Sequence, residues 1–185
     1  NLKFLESDFI PYYLISRVYN ETEKDKTLHV IISNDKDMYQ LLTEDNIVQM
    51  CTKANIRKLV TKDNFYYFYS KMEKSSRNSQ KKLIENISKL EPNMITLAMS
   101  ITGDIADDVP GIKGLGPKKS LKLLSDLDSF KEFIGDIKSL EDRIFNDEPL
   151  FLKNQDFPDK EWEKIVTESE KLRTSYKLIS FEMLC

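Results

Sequence analysis

Glycine is scarce in this sequence. Among 185 residues there are five, and four of them (Gly103, Gly111, Gly114 and Gly116) fall within one stretch, "GDIADDVPGIKGLGPKKS". Histidine occurs once, as His29, and cysteine twice, as Cys51 and Cys185. With no CxxC, neither a disulfide framework nor a zinc site is suggested. Catalysis through a Ser-His-Asp or Cys-His set would rest on His29 alone. That residue lies in "TLHVIIS", which reads as a strand, so a structural histidine is expected. No apolar run approaches the roughly 20 residues of a membrane span, so no membrane partner is expected. The start, "NLKFLESDF", lacks a basic-then-apolar signal pattern, and an intracellular protein is the expectation. Because the first residue is Asn1, the chain reads as a processed or truncated piece.

Hydrophobic residues make up 40%, enough for a packed core. The net charge of −3, from 28 basic and 31 acidic residues, excludes little, so local clustering matters more. Helical spacing runs through "SDFIPYYLISRVYNE", with Pro11 in the first turn. "LHVIIS" reads as a strand buried on both faces, and "MYQLL" as the start of a helix. "NIVQMC" and "IRKLVT" read as strands, and "KDNFYYFYSKM" as a helix. This order predicts an α/β sheet over residues 1–70. Residues 71–185 read as mainly helical: "KKLIENISKL", "EPNMITLAMSITGD", "KKSLKLLSDL", "DSFKEFIGDI" and "EWEKIVTESEKLRTSYKLISF".

Three acidic groups stand out. Glu6 and Asp8 open the first helix. Asp35 and Asp37 follow the "HVIIS" strand, where the crevice of an open α/β sheet lies. Asp104 and Asp107, with Asp108, follow the "MITLAMSIT" helix. Carboxylates gathered in one crevice need a cation, and hard oxygen donors suit Mg²⁺ or Mn²⁺. Two such ions could activate a water against a phosphodiester. Any single pair is better explained by helix capping or solvation, with Asp8 or Ser7 at one helix and Asp35 at the next; two aspartates at i and i+2 just after a buried strand shift the balance toward the crevice. The glycine stretch has the form of a hairpin between two helices. Its glycines allow positive φ and close approach of a phosphate to backbone N–H groups. Pro117 would open the second helix, and Lys118 and Lys119 would add charge. Such a site grips a nucleic-acid backbone without reading bases, although a plain helix–helix turn has the same glycines.

"GDIADDVPGIKGLGPKKS" resembles the helix–three-turn–helix of the 5′-nuclease family: flap endonucleases, phage 5′-3′ exonucleases and the 5′-nuclease domain of bacterial DNA polymerase I. The family form is close to GDxxDNxPGxxGxGxKxA. "SNDKDMYQLL" is similar to the family's S-x-D-x-D-x-x-Q-L stretch, and "LESDFIPYYLI" resembles its E-A-D-D segment. The three occur in the family's order.

The resemblance implies a fold: a partial, PIN-like parallel-sheet nuclease core over residues 1–70. A mainly helical region, residues 71–185, would carry the helix–three-turn–helix near 92–125. It implies an activity, hydrolysis of phosphodiester bonds near DNA 5′ ends by a 5′-3′ exonuclease or flap endonuclease. It implies metal ligands Glu6, Asp8, Asp35, Asp37, Asp104 and Asp107, with Asp35 and Asp37 catalytic. It implies DNA contacts at Gly111, Gly114, Gly116, Lys118 and Lys119. Two Mg²⁺ or Mn²⁺ ions, a K⁺ ion at the hairpin, and a duplex with a 5′ end, nick or flap follow from the same comparison. So does a setting in the cytoplasm of a bacterium or a phage-infected cell, or in a eukaryotic organelle.

Phe9 stands where the family has the second aspartate of E-A-D-D, and Asp108 where it has Asn. The family also places about a hundred residues before Glu6, with the first strand, another metal acid and a basic helical arch. The expectation is therefore a C-terminal portion, weakly active or inactive alone, whose partner is the missing N-terminal nuclease segment. The alternative is a non-catalytic duplex-binding module that keeps the hairpin while its metal site decays.

Overall fold

The computed structural model describes residues 7, 9–18, 26–53, 56–69, 85, 87, 90–153, 157 and 160–183. Three strands form the sheet, in the order β1 (His29–Ile32), β2 (Ile47–Lys53), β3 (Ile56–Val60). β1 and β2 are parallel, with His29 opposite Ile47 and Ile32 opposite Met50. Residues 33–46 make the crossover that a parallel pair requires. β2 and β3 are antiparallel, with Gln49 opposite Val60. Only residues 54–55 separate them, too few for a crossover, so this half of the expected parallel sheet is a hairpin instead.

The strand expected to be buried on both faces is buried on one. His29 and Ile31 point inward, while Val30 and Ile32 are exposed, Ile32 by 71%. Among the described residues β1 is also an edge strand. The β-branched run marked the strand correctly, but the cover for its second face is not among these residues.

The first helix, α1 (Phe9–Tyr13), passes into a π-helical segment, Leu14–Val18, rather than continuing as one α-helix. "MYQLL" forms a 3₁₀ helix, Asp37–Leu41, not an α-helix. Its turns close through Tyr39 N–H to the Lys36 carbonyl at 2.9 Å. α2 (Phe65–Tyr69) follows β3. The expected helix in "KKLIENISKL" lies mostly outside the described residues.

α3 (Met94–Thr102) is the centre of the molecule, with every residue from Met94 to Ile101 buried. A helix buried all round must satisfy its own polar side chains. Ser100 donates to the Thr96 carbonyl at 2.7 Å, and Thr96 donates to Gln40 Oε1 at 3.2 Å. Pro92 sits in the turn before α3, where its carbonyl accepts the Ile95 amide at 3.0 Å.

Four of the remaining helices follow from amphipathic spacing and caps: α4 (Pro117–Leu124), α5 (Leu127–Phe133), α6 (Ile137–Phe145) and α7 (Lys160–Thr167). Asp126 and Asp136 cap α5 and α6 through the amides and hydroxyls of Ser129 and Ser139. The last helix, α8 (Ser169–Ile179), is separate from α7, where the sequence pattern suggested one helix. The break at Glu168 lets Trp162 and Ile165 of α7 and Leu172, Tyr176 and Ile179 of α8 all reach the core. Buried Arg173 of α8 closes the end of α6 by donating to the carbonyls of Arg143, Ile144 and Glu148. No helix among the described residues is long and apolar enough to cross a membrane.

Candidate active site: an aspartate-lined cleft

Two aspartate-bearing turns face one cleft of about 510 Å³. The first leaves the C-terminal end of β1. Asp35 N–H donates to Ser33 Oγ at 3.0 Å, and Asp35 Oδ1 accepts the Asp37 amide at 2.9 Å. Asp35 is not the cap expected for the next helix, whose N-cap is Lys36 without a side-chain bond; its Oδ1 closes an Asx turn on the Asp37 amide instead. The turn is held from below by Gln49 of β2, whose side chain is fully buried. Its Nε2 donates to the carbonyls of Ser33 (3.0 Å) and Asp35 (2.6 Å).

The second turn leaves the C-terminal end of α3. Asp104 and Val109 exchange both backbone hydrogen bonds, at 3.1 and 2.8 Å, and so close a six-residue loop. Inside it Asp104 Oδ1 accepts the Ala106 amide at 2.8 Å. Asp108 has φ 56°, a left-handed conformation that Asn and Asp tolerate best. The Asn-to-Asp departure noted in the sequence thus keeps the backbone requirement. Asp104, Asp107 and Asp108 are exposed, and Asp35 and Asp37 are half-buried.

The cleft's other walls are apolar or neutral. Phe9 is buried and packs on Tyr12 at 5.2 Å and Phe181 at 6.0 Å. It forms a hydrophobic wall where the family pattern has a carboxylate. The Lys36 ammonium lies 5.7 Å from the Tyr69 ring centroid, within cation–π range. Burial pushes the Tyr69 hydroxyl up to about 12, with Asp37 and Asp104 adding to the rise. It is therefore a neutral donor at ordinary pH, and it bonds Thr102 Oγ1 at 3.0 Å. Thr102 Oγ1 is 3.2 Å from Ser120 Oγ of α4, so hydroxyls connect the cleft to the glycine hairpin.

The hairpin begins with a glycine pair. Gly103 and Gly111 have φ of 74° and 54°. A Cβ on Gly111 would fall 2.4 Å from the Thr102 carbonyl oxygen, and one on Gly103 would fall 2.7 Å from Gly111 Cα. Only glycine fits either place. Gly116 is different: its backbone is extended, and a Cβ there would meet nothing within 4 Å. It caps α4 with open space beside it. No side chain caps α4, Pro117 stands in its first turn, and that turn carries no acid. Lys118 and Lys119 project there, both exposed.

Of the six metal ligands expected from the sequence, Asp35, Asp37, Asp104 and Asp107 line this cleft. Glu6 and Asp8 lie outside the described residues. Among the described residues, no group of three or more His, Cys, Asp or Glu side chains could hold an ion by itself. The donor set is nonetheless all oxygen, and Mg²⁺ is commonly held by one or two carboxylates with waters and phosphate completing its shell. The pairs on the two turns fit that pattern.

A second cleft, of about 580 Å³, lies between α1, the 3₁₀ helix and α6. Two of its acids are engaged: Tyr176 donates to Glu141 at 2.8 Å and Tyr12 to Glu182 at 2.6 Å. Sequence reasoning missed Gln49, which shows only as a polar residue between apolar neighbours in β2. It also missed Lys164 of α7, whose ammonium donates to the Lys113 carbonyl of the hairpin.

No protein-family model matches the chain. It is 28% identical over 156 residues to DNA polymerase I of Bacillus subtilis, across 84% of this chain. It is 24% identical over 158 residues to DNA polymerase I of Caldicellulosiruptor bescii, across 73% of this chain. The chain spans 16% of the length of each. Its fold matches the T5 D15 protein co-crystallised with metal ions (TM-score 0.62, 17% identity, 98% of this chain and 52% of that one). It also matches a T5 5′-exonuclease mutant (TM-score 0.58, 18% identity, 96% of this chain and 56% of that one).

Proposed function

We infer from this homology and this fold, which together support the 5′-nuclease family, that the chain is part of a 5′-3′ exonuclease or flap endonuclease. Its reaction is hydrolysis of phosphodiester bonds near DNA 5′ ends. One observation carries the reading: aspartates from the end of β1 and from the end of α3 line the same cleft. Helix capping alone would not bring the two turns together.

Asp35 and Asp37 on one side, and Asp104 and Asp107 on the other, bind divalent metal in this reading, with Glu6 and Asp8 completing the set. Bound Mg²⁺ or Mn²⁺ supplies a more acidic water and stabilises charge on the phosphate. The half-buried Asp35 and Asp37 would hold the ion from the β1 side of the cleft. The Phe9 wall limits bulk water on its side of the cleft. The α4 N-terminus, with Gly116, Lys118 and Lys119, holds the duplex by its backbone as a helix–three-turn–helix would. Open space at Gly116 supports close approach of a phosphate.

Among the described residues, the exposed face and edge position of β1 support a segment that supplies another strand and covers Val30 and Ile32. The single chain is accordingly weakly active or inactive.

The test is cleavage of a nicked or 5′-flap duplex by the complete protein, with Mn²⁺ and with EDTA. Cleavage only with metal, abolished by Asp37→Asn, supports the nuclease. The buried Phe9 favours a second reading, a duplex-binding module without catalysis, for which tight binding without cleavage is the expected result.

A further inference from the structure

Helix α7 lies some fifty residues beyond the glycine hairpin, yet it touches the hairpin at two places. Lys164 donates from its ammonium to the Lys113 carbonyl, a pair separated by 51 residues. The same nitrogen is 3.8 Å from where a Cβ on Gly114 would stand. One turn earlier, Glu161 reaches Lys119 at 3.8 Å. Positions 161 and 164 share one face of α7. That face therefore runs along the hairpin and the first turn of α4.

The chemistry of this contact goes beyond a tie between elements. An ammonium has three N–H donors. One is used on the Lys113 carbonyl, and the bond sits at the surface. Gly114 and Gly116 are two residues apart, at most about 7 Å of chain. The Lys164 ammonium thus sits on the hairpin at Lys113 and Gly114, two residues of chain before the uncapped start of α4.

We propose that α7 forms a second wall of the phosphate-binding site, with Lys164 both bracing the hairpin at Lys113 and contacting a backbone phosphate of duplex DNA. The inference rests on the duplex-binding reading of the hairpin and adds a contact outside it. Glu161 moderates the site by holding the Lys119 charge.

The experiment measures duplex affinity against salt for the wild type, Lys164→Met, Lys164→Arg and the double variant Lys118→Met/Lys119→Met. Each phosphate contact contributes about 0.9 to the slope of log K against log salt. Lys164→Met is expected to bind several-fold more weakly with a slope shallower by about 0.9, and Lys164→Arg to keep the wild-type slope. Acetylation of the Lys164 amine in the wild-type protein, with and without duplex, gives a reading that does not depend on a variant folding. Protection by duplex is expected. An unchanged slope in Lys164→Met, or equal labelling with and without duplex, overturns the proposal. If the Lys118/Lys119 double variant weakens binding while Lys164→Met does not, only the α7 contact falls. If the wild type binds no duplex, the hairpin reading falls with it.

Discussion

The side-chain amide of Gln49 spans two carbonyls, those of Ser33 and Asp35, at 3.0 and 2.6 Å. It does so from the middle of β2 with no solvent exposure. The carbonyls belong to the turn that carries Asp35 and Asp37, so the sheet sets the position of that aspartate pair. Gln49→Leu keeps the volume but leaves both carbonyls without this donor. Losing this donor costs about 1–3 kcal/mol, partly offset because the unpartnered Gln49 Oε1 is removed as well, so a loss of roughly 1–2 kcal/mol is expected in urea unfolding. Mn²⁺ affinity should fall with it, by about 10–100-fold, as for other groups that orient a ligand.

Gly111 is the tightest point of the hairpin. Alanine there requires a left-handed backbone and drives its Cβ into the Thr102 carbonyl. Gly111→Ala should destabilise the fold by at least about 2 kcal/mol, since the left-handed conformation alone costs roughly 1–2. Gly116→Ala, facing open space, should change thermal stability little while weakening duplex binding. Calorimetry and a binding titration together separate these two glycines.

Tyr69 provides a pH signature for the cleft. Its folded pKa, about 12, lies above the ordinary tyrosine value of 10. A group whose pKa rises on folding contributes stability below its unfolded pKa and loses it as pH climbs through the folded one. Stability should therefore decline between about pH 10 and 12, by roughly 2–3 kcal/mol at about 1.4 kcal/mol per unit. Tyr69→Phe should remove that component of the decline. Chemical denaturation at pH 9, 10.5 and 12 measures it.

Asp107→Asn should separate metal from fold. Asp107 is exposed and its turn is closed by the Asp104–Val109 pair without it. Thermal stability without metal should stay within about 0.5 kcal/mol of wild type, as for ordinary surface changes. Metal-dependent stabilisation should shrink. Melting with and without Mn²⁺ measures both.

The particular residues show how much of this was legible in the sequence. "HVIIS", "NIVQMC" and "IRKLV" announced their strands by β-branched runs. "MITLAMSIT" announced the central helix, and the aspartates and glycines announced their turns. Burial of β1 was misread because a β-branched run looks the same whether one face or two is covered. "MYQLL" has helical spacing, yet its few residues between a turn and a strand close only a 3₁₀ helix. The antiparallel return of β3 was legible in the short link after Lys53 but was passed over. Gln49 and Lys164 left no local signal, because each acts on a segment far away in sequence. Contacts of that kind are fixed by packing, not by spacing.

The central claim is that the turns of Asp35–Asp37 and Asp104–Asp108 form one metal site region. Paramagnetic broadening of backbone amide signals by substoichiometric Mn²⁺ tests it most directly. The account predicts that amides of both turns broaden together, that those of α5 and α6 do not, and that excess Mg²⁺ reverses the effect. Broadening at only one turn, or at neither, would contradict it.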